Sequence, residues 1–222
     1  MELDHAYVDS VLVVAGGDPW SGPLPRFGSS ITQVIAADSG VDLAAQLGLP
    51  VDVVIGDLDS ASAEALEEAE RSGARIERHP RDKDVTDLEL ALDLAAAEGA
   101  TNIVVVGGAG GRMSHFLGNA ALIASPKYAA ARVKWLLPGA EVYVATGRHE
   151  VTIEGTPGDL VSLIPITGDA TGVTTNGLRW PLEGDTLTVS ETRGMSNEMA
   201  ANQSDVAVES GILLVVHERV TS

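Results

Sequence analysis

The sequence predicts an α/β protein in two parts, an amino-terminal parallel sheet with helical crossovers followed by an antiparallel β-sandwich. Three observations predict it. From Val11 to Leu137 short apolar runs alternate with helical periodicity, the sequence form of β-α-β units. After about Pro138 the chain turns to short β-rich runs punctuated by Gly, Thr and Pro, with no helix of ordinary length signalled. Four apolar runs of the first part also end in small-residue turns with acidic or glycine-rich chemistry, as parallel strands ending along one edge would. The change of texture places the division at 1–140 and 141–222.

Taken in order, the strands of the first part are expected at Val11 to Ala15, Val34 to Ala37, Val51 to Ile55, Arg75 to His79, Ile103 to Val106 and Val133 to Leu137. Ser62 to Ser72 reads as an acidic amphipathic helix stopped by Gly73. Thr86-Asp87-Leu88-Glu89 is a capping box, and Gly99 closes the helix that it opens. The box fixes Asp87 in the first helical turn, just past a strand. This arrangement is Rossmann-like. In the second part, strands are expected at Glu150 to Glu154, Asp159 to Ile164, Thr186 to Ser190, Val206 to Glu209 and Ile212 to His217.

Composition excludes several classes of function. The 222 residues can bury a proper core in one large or two small domains. A formal net charge of -18, from 32 acidic and 14 basic side chains, opposes a nucleic-acid footprint. The same charge repels a polyphosphate at long range, so a phosphate site must be supplied with divalent metal and a few placed basic groups. The absence of cysteine excludes disulfides, thiolate catalysis and Cys-ligated metal sites. The acidic start Met1-Glu2-Leu3-Asp4-His5 is unlike a signal peptide, and no apolar run approaches the ~18 residues of a membrane span, so a cytoplasmic protein with no membrane partner is expected.

The strand-end turns hold the candidate chemistry. Asp57-Leu58-Asp59-Ser60 puts two carboxylates within reach of one cation, and hard oxygen ligands suit a magnesium ion that bridges phosphates. The pattern alone also fits an acidic turn with Ser60 or Ser62 as a helix cap. Asp38, before Ser39-Gly40, gains weight from ending the neighbouring strand. Arg81-Asp82-Lys83-Asp84 enters a helix amino terminus, a natural phosphate environment, or is a solvated loop. Gly107 to Gly111 carries four glycines in five residues, so backbone amides can approach an anion beside Arg112; the spacing is neither a P-loop nor a dinucleotide fingerprint. His115 and Asn119 share a face of the following helix. In the second part, Trp180 beside Gly177 and the turn Gly194-Met195-Ser196-Asn197-Glu198 fit a stacking platform with polar groups; a core or interface Trp fits equally. A phosphatase with Asp57 as nucleophile remains open at this point, although two expected strands precede its motif.

Together these blocks resemble the thiamine pyrophosphokinase (thiamine diphosphokinase) family. The matching segments are Ala37-Asp38-Ser39-Gly40, Ile55 to Ser60, Lys83-Asp84-Val85-Thr86-Asp87, Gly110-Gly111-Arg112-Met113-Ser114-His115 with Asn119, Ser162-Leu163-Ile164-Pro165, Thr175 to Trp180 and Ser196-Asn197-Glu198. The resemblance implies an α/β catalytic domain and a β-sandwich that binds thiamine and dimerises, in a homodimer with active sites between subunits. It implies pyrophosphoryl transfer from ATP to thiamine, with Asp38, Asp57, Asp59 and Asp87 holding Mg2+. Catalysis would fall to Asp57, Asp59, Asp87, Lys83 and Arg112. ATP binding would fall to Asp38, Lys83, Thr86, Gly110, Gly111, Arg112 and His115, and thiamine binding to Trp180, Ser196 and Asn197. The family pattern has Asp where this chain has Ser114, and commonly Gly where it has Ser39. Ser114 keeps open a second expectation, a catalytically impaired nucleotide- or thiamine-binding regulatory protein on the same fold.

Overall fold

The structure is a computed structural model that describes residues 9–23, 25, 27 and 30–220. It divides into two compact units, one with the described residues up to Asn119 together with Trp135–Pro138, the other with Ala120–Lys134 and the described residues from Gly139 onward. The chain passes between them within a helix, within a strand and after Pro138. The change of texture near Pro138 marks only the last passage. No helix among the described residues is long and apolar enough to cross a membrane.

The first unit contains β1 (Ser10–Ala15), β2 (Ile31–Ala37), α1 (Gly40–Leu47), β3 (Val53–Gly56), α2 (Ala63–Arg71), β4 (Arg75–Arg78), α3 (Asp87–Ala97) and β5 (Asn102–Gly107). Then come α4 (Met113–Ile123), a single 3-10 turn at Pro126–Tyr128 and β6 (Arg132–Leu137). The strands run in the order β5-β1-β2-β3-β4 and every pair is parallel. Central strands covered on both faces must be apolar throughout, which is why Leu12, Val13, Val14, Ile35, Val54, Val105 and Val106 are buried without alternation. The edge strand β4, Arg-Ile-Glu-Arg, is charged instead, which discourages a further strand from pairing there. The helix ends follow their caps. Ser62 accepts from the Ala65 amide and Thr86 from the Glu89 amide, each at 3.2 Å. Gly73 and Gly99 stand at φ +98° and +84° just past α2 and α3.

This strand order places the site. The chain steps outward from β1 through β2 and β3 to β4, then returns through α3 to β5 on the other side of β1. The order therefore reverses between β1 and β5, and a crevice opens outside the carboxyl ends of the strands at such a switch point.

The second unit contains β7 (Ala140–Thr146), β8 (Val151–Glu154), β9 (Leu160–Pro165), β10 (Ala170–Asn176), β11 (Glu183–Leu187), β12 (Asn197–Glu198), β13 (Gln203–Ala207) and β14 (Ile212–Glu218). They form two antiparallel layers, β12-β9-β14-β7 and β11-β10-β13-β8, with one apolar core supplied by both. Val151 and Ile153 point into that core while Thr152 and Glu154 face out, the period-two pattern of a half-covered strand. The expected strand at Thr186 to Ser190 lies instead at Glu183–Leu187, and that at Val206 to Glu209 lies at Gln203–Ala207. Each puts polar residues in its outward positions, so apolar content misplaced the ends. β10, Ala-Thr-Gly-Val-Thr-Thr-Asn, was not anticipated, because Ala170, Val173 and Thr175 alone turn inward.

Candidate active site

The acidic edge is built by two turns with left-handed backbone. Asp38 follows β2 at φ +48°, and its amide donates to the Ile55 carbonyl at 2.9 Å, tying its turn to the end of β3. Leu58 stands at φ +62° in the turn after β3. That conformation, costly for a branched side chain, sends Leu58 into the core with Ala36, Val41 and Val54 while Asp57 and Asp59 line the cavity. Carboxylate oxygens of Asp38, Asp57 and Asp59 come within 4.8 Å of one another. Asp57 Oδ1 accepts the Asp59 amide at 3.2 Å, and the Ser60 hydroxyl donates to Asp59 Oδ1 at 2.9 Å.

Two basic side chains face this edge among the described residues. Lys83, largely buried, lies 2.9 Å from Asp87 Oδ1 and 3.5 Å from Asp57 Oδ2, and the Arg81 guanidinium lies 3.4 Å from Asp59. Asp87 reaches the group from the first turn of α3 because Gly56 has no side chain: a Cβ there would stand 2.8 Å from Asp87 Oδ1. The charges perturb one another in opposite senses. Burial pushes the Asp38 carboxyl up, and the nearby charges of Asp87 and Asp57 add to it against the Ser39 and Ser60 amides. The Asp59 amide, helped by Lys83 and Arg81, holds Asp57 below the usual carboxylate range despite its partial desolvation. Desolvation opposes the Lys83 charge, but its hydrogen bonds and attraction to Asp87 and Asp57 outweigh that and raise its pKa.

Asp38 Oδ1 is buried and has no hydrogen-bond partner among the described residues. An oxygen left so beside two further carboxylates fits a divalent cation with oxygen ligands.

The opposite wall is backbone. Two glycine turns, Gly16-Gly17 after β1 and Gly107-Gly108 after β5, are stitched together by Gly108 N to Gly16 O at 3.0 Å and Asp18 N to Ala109 O at 2.9 Å. A Cβ on Gly17 would lie 2.2 Å from the Ala109 carbonyl oxygen, so the close approach requires glycine. Asn119 on α4 donates to the Gly108 carbonyl at 2.9 Å and the buried Trp135 indole to the Gly107 carbonyl at 2.6 Å. These bonds fix the loop from below. The walls enclose a cavity of about 610 Å³.

Of the residues singled out in the sequence, Asp38, Asp57, Asp59, Thr86, Asp87, Gly110, Gly111, Arg112 and His115 all line this cavity. Lys83 stands behind Asp57 and Asp87 as their counter-ion. Ser114, exposed in the first turn of α4, is not part of the lining. Sequence reasoning missed Gly16, Gly17 and Asp18, which line it too. Their signal was present: the apolar run Val11 to Ala15 ends in Gly16-Gly17-Asp18, the same form as the four turns that were read.

Trp180, Ser196 and Asn197 belong to the second unit. Trp180 is 52% exposed, with the Arg179 guanidinium 4.8 Å from its ring centroid. Ser196 stands at φ +55°, and its amide donates to Ser162 Oγ at 3.0 Å. Asn197 is buried against the Trp180 backbone.

Fold and site together define an open-sheet α/β protein whose strand carboxyl ends line a cavity, with an oxygen-rich, cation-competent edge facing a glycine wall. Known proteins narrow this class. The family model "Thiamin pyrophosphokinase, catalytic domain" matches residues 25–135, and "Thiamin pyrophosphokinase, vitamin B1 binding domain" matches residues 148–213. The chain belongs to the thiamin pyrophosphokinase family. It is 27% identical over 211 residues to a thiamine pyrophosphokinase of Bacillus subtilis, covering 93% of this chain and 97% of that protein. The solved structure of thiamine pyrophosphokinase from Bacillus subtilis superposes with a TM-score of 0.79 at 25% identity, covering 96% of this chain and 100% of that one. Yeast thiamin pyrophosphokinase, at 15% identity and a TM-score of 0.71 over 95% of this chain and 86% of that one, supports the fold alone.

Proposed function

We propose that this protein transfers the pyrophosphoryl group of ATP to the hydroxyl of thiamine, giving thiamine diphosphate and AMP. The observation that carries the reading is the meeting of Asp38, Asp57 and Asp59 with the Lys83–Asp87 pair in one cavity, in a chain of this family. Asp38, Asp57, Asp59 and Asp87 would hold Mg2+. When bound, magnesium would offset the negative charge of the carboxylates and of the phosphate.

The residues of the chain supply position and charge. Gly110 and Gly111 let a phosphate approach the backbone, and Arg112 offers a forked donor to its oxygens. Lys83 holds Asp57 and Asp87 in place and offsets charge on the transferred group, which suits a reaction governed by positioning and electrostatics. Thr86 and His115 lie beside the same phosphate path. In the transfer, the thiamine hydroxyl oxygen bonds to the β-phosphorus and releases its proton to solvent, the bond from that phosphorus to the α,β-bridging oxygen breaks, and AMP leaves with the electron pair. Trp180, Ser196 and Asn197 serve thiamine. The same reading has the protein working as a homodimer in the cytoplasm.

Ser114 lies outside the cavity lining, so its replacement of a carboxylate leaves the acidic trio and its counter-ion intact. Purified protein given ATP, Mg2+ and thiamine should release AMP in step with thiamine diphosphate. Calorimetric binding of both substrates without either product would overturn the assignment.

A further inference from the structure

The main chain of Trp180 is held more firmly than its exposure suggests. Its amide donates to Asn197 Oδ1 at 3.1 Å, and its carbonyl accepts from Asn197 Nδ2 at 2.7 Å. Asn197 Oδ1 also accepts the Glu198 amide at 2.8 Å. A carboxamide offers two donor hydrogens and two acceptor positions. Three of these four are thus spent inside the protein, on a side chain only 6% exposed. Beside it, Glu198 binds Arg179 twice, through its carbonyl to the Arg179 amide at 2.8 Å and its carboxylate to Nη1 at 2.7 Å. This tether keeps the guanidinium on the Trp180 ring.

The geometry points to Asn197 as a positioning residue that acts on the substrate through Trp180, without touching it. The inference rests on the proposed function, in which Trp180 faces thiamine. Asn197 fixes the backbone from which the ring projects, and the Arg179 guanidinium, held by Glu198, lies over one ring face. One flat ring of the substrate can then stack on the other face against an indole whose orientation is already set, so less conformational freedom is lost on binding.

A double-mutant cycle on Asn197 and Trp180, read as KM for thiamine and for ATP, tests this. Asn197→Ala should raise KM for thiamine about tenfold, the equivalent of ~1.4 kcal/mol, with KM for ATP within about twofold of wild type. Asn197→Asp keeps both acceptors but sets a carboxylate oxygen against the Trp180 carbonyl, so it too should raise KM for thiamine; it also carries the test if the alanine variant fails to fold. In a Trp180→Ala background either Asn197 change should add nothing. A full effect surviving in that background would mean that Asn197 meets the substrate itself, and the inference would fail. Acrylamide quenching of the Trp180 emission, obtained by difference from Trp180→Ala, reads the positioning without substrate and should increase in both Asn197 variants. Unchanged quenching overturns the inference even if the wild type proves to make no thiamine diphosphate, an outcome that would defeat the proposed function alone.

Discussion

Replacing Gly56 by Ala tests whether the acidic edge works because Asp87 can lie over bare backbone. Gly56 stands at φ +144°, and an added Cβ would come within 2.8 Å of Asp87 Oδ1 and 3.0 Å of its carboxyl carbon. The backbone conformation alone costs an L side chain roughly 1–3 kcal/mol. Relief of the contact to ordinary van der Waals separation of about 3.5 Å moves the carboxylate back by roughly 0.5 Å or more. That movement strains the 2.9 Å Lys83–Asp87 pair, which also anchors the ammonium beside Asp57. A displacement of about 1 Å in a positioned group costs on the order of 10²-fold in rate, so kcat should fall about 10- to 100-fold. Thermal unfolding should move down by roughly 2–12 °C, at about 2–4 °C per kcal/mol for a chain of this size. AMP release at saturating substrates measures the first and a circular-dichroism melt the second. A lowered melting point with wild-type kcat would refute the reasoning, since Gly56 would then serve the backbone without clearing space for Asp87.

Three further results are expected. Lys83→Met should lower kcat by about 10²–10³-fold, the usual cost of removing one preorganised electrostatic partner, and wild-type turnover would remove Lys83 from the mechanism. Asp38→Asn should raise the melting temperature in EDTA, because burial and the Asp57 and Asp87 charges disfavour the ionised carboxyl, while the stabilisation that Mg2+ gives the wild type is lost; equal Mg2+ response in both proteins would refute the ligand role. In the second unit, burial acts to raise the pKa of Asp159, but the amides of Thr156 and Val220 and the buried His217 bind it and hold it lower than usual. A depressed folded pKa means that the unfolded chain takes up the proton first, so this stabilisation is complete above the ordinary Asp value and drains away as pH falls through the folded one. Asp159→Ala should therefore cost about 1.5–3 kcal/mol at neutral pH, the range for hydrogen bonds to a charged group, and less under strong acid, and equal losses at both pH values in a denaturant titration would contradict the linkage.

How much of this was legible in the sequence depended on whether a residue's role is local. The parallel strands were readable because β1, β2, β3 and β5 are buried on both faces and so written as apolar runs, and the caps at Ser62 and Thr86 because they bond within three residues. Asp38, Asp57 and Asp59 could be gathered because the end of each parallel strand lies on one edge, whatever the sheet order. The sheet order itself was not readable, and with it went the pairing of β1 with β5 that makes Gly16-Gly17-Asp18 a wall of the site. Gly56 looked like part of an acidic turn, yet its decisive neighbour is Asp87, on a helix that begins after a further strand. In the sandwich, β10 escaped and β11 was misplaced because few inward residues, interrupted by Gly172 and Gly184, leave little apolar signal. Asn197 shows the same limit within a motif that was recognised. Its residue type suits a ligand contact, but its hydrogen bonds run to a tryptophan backbone seventeen positions away, and only the folded chain distinguishes a group that meets the substrate from one that holds the group that does.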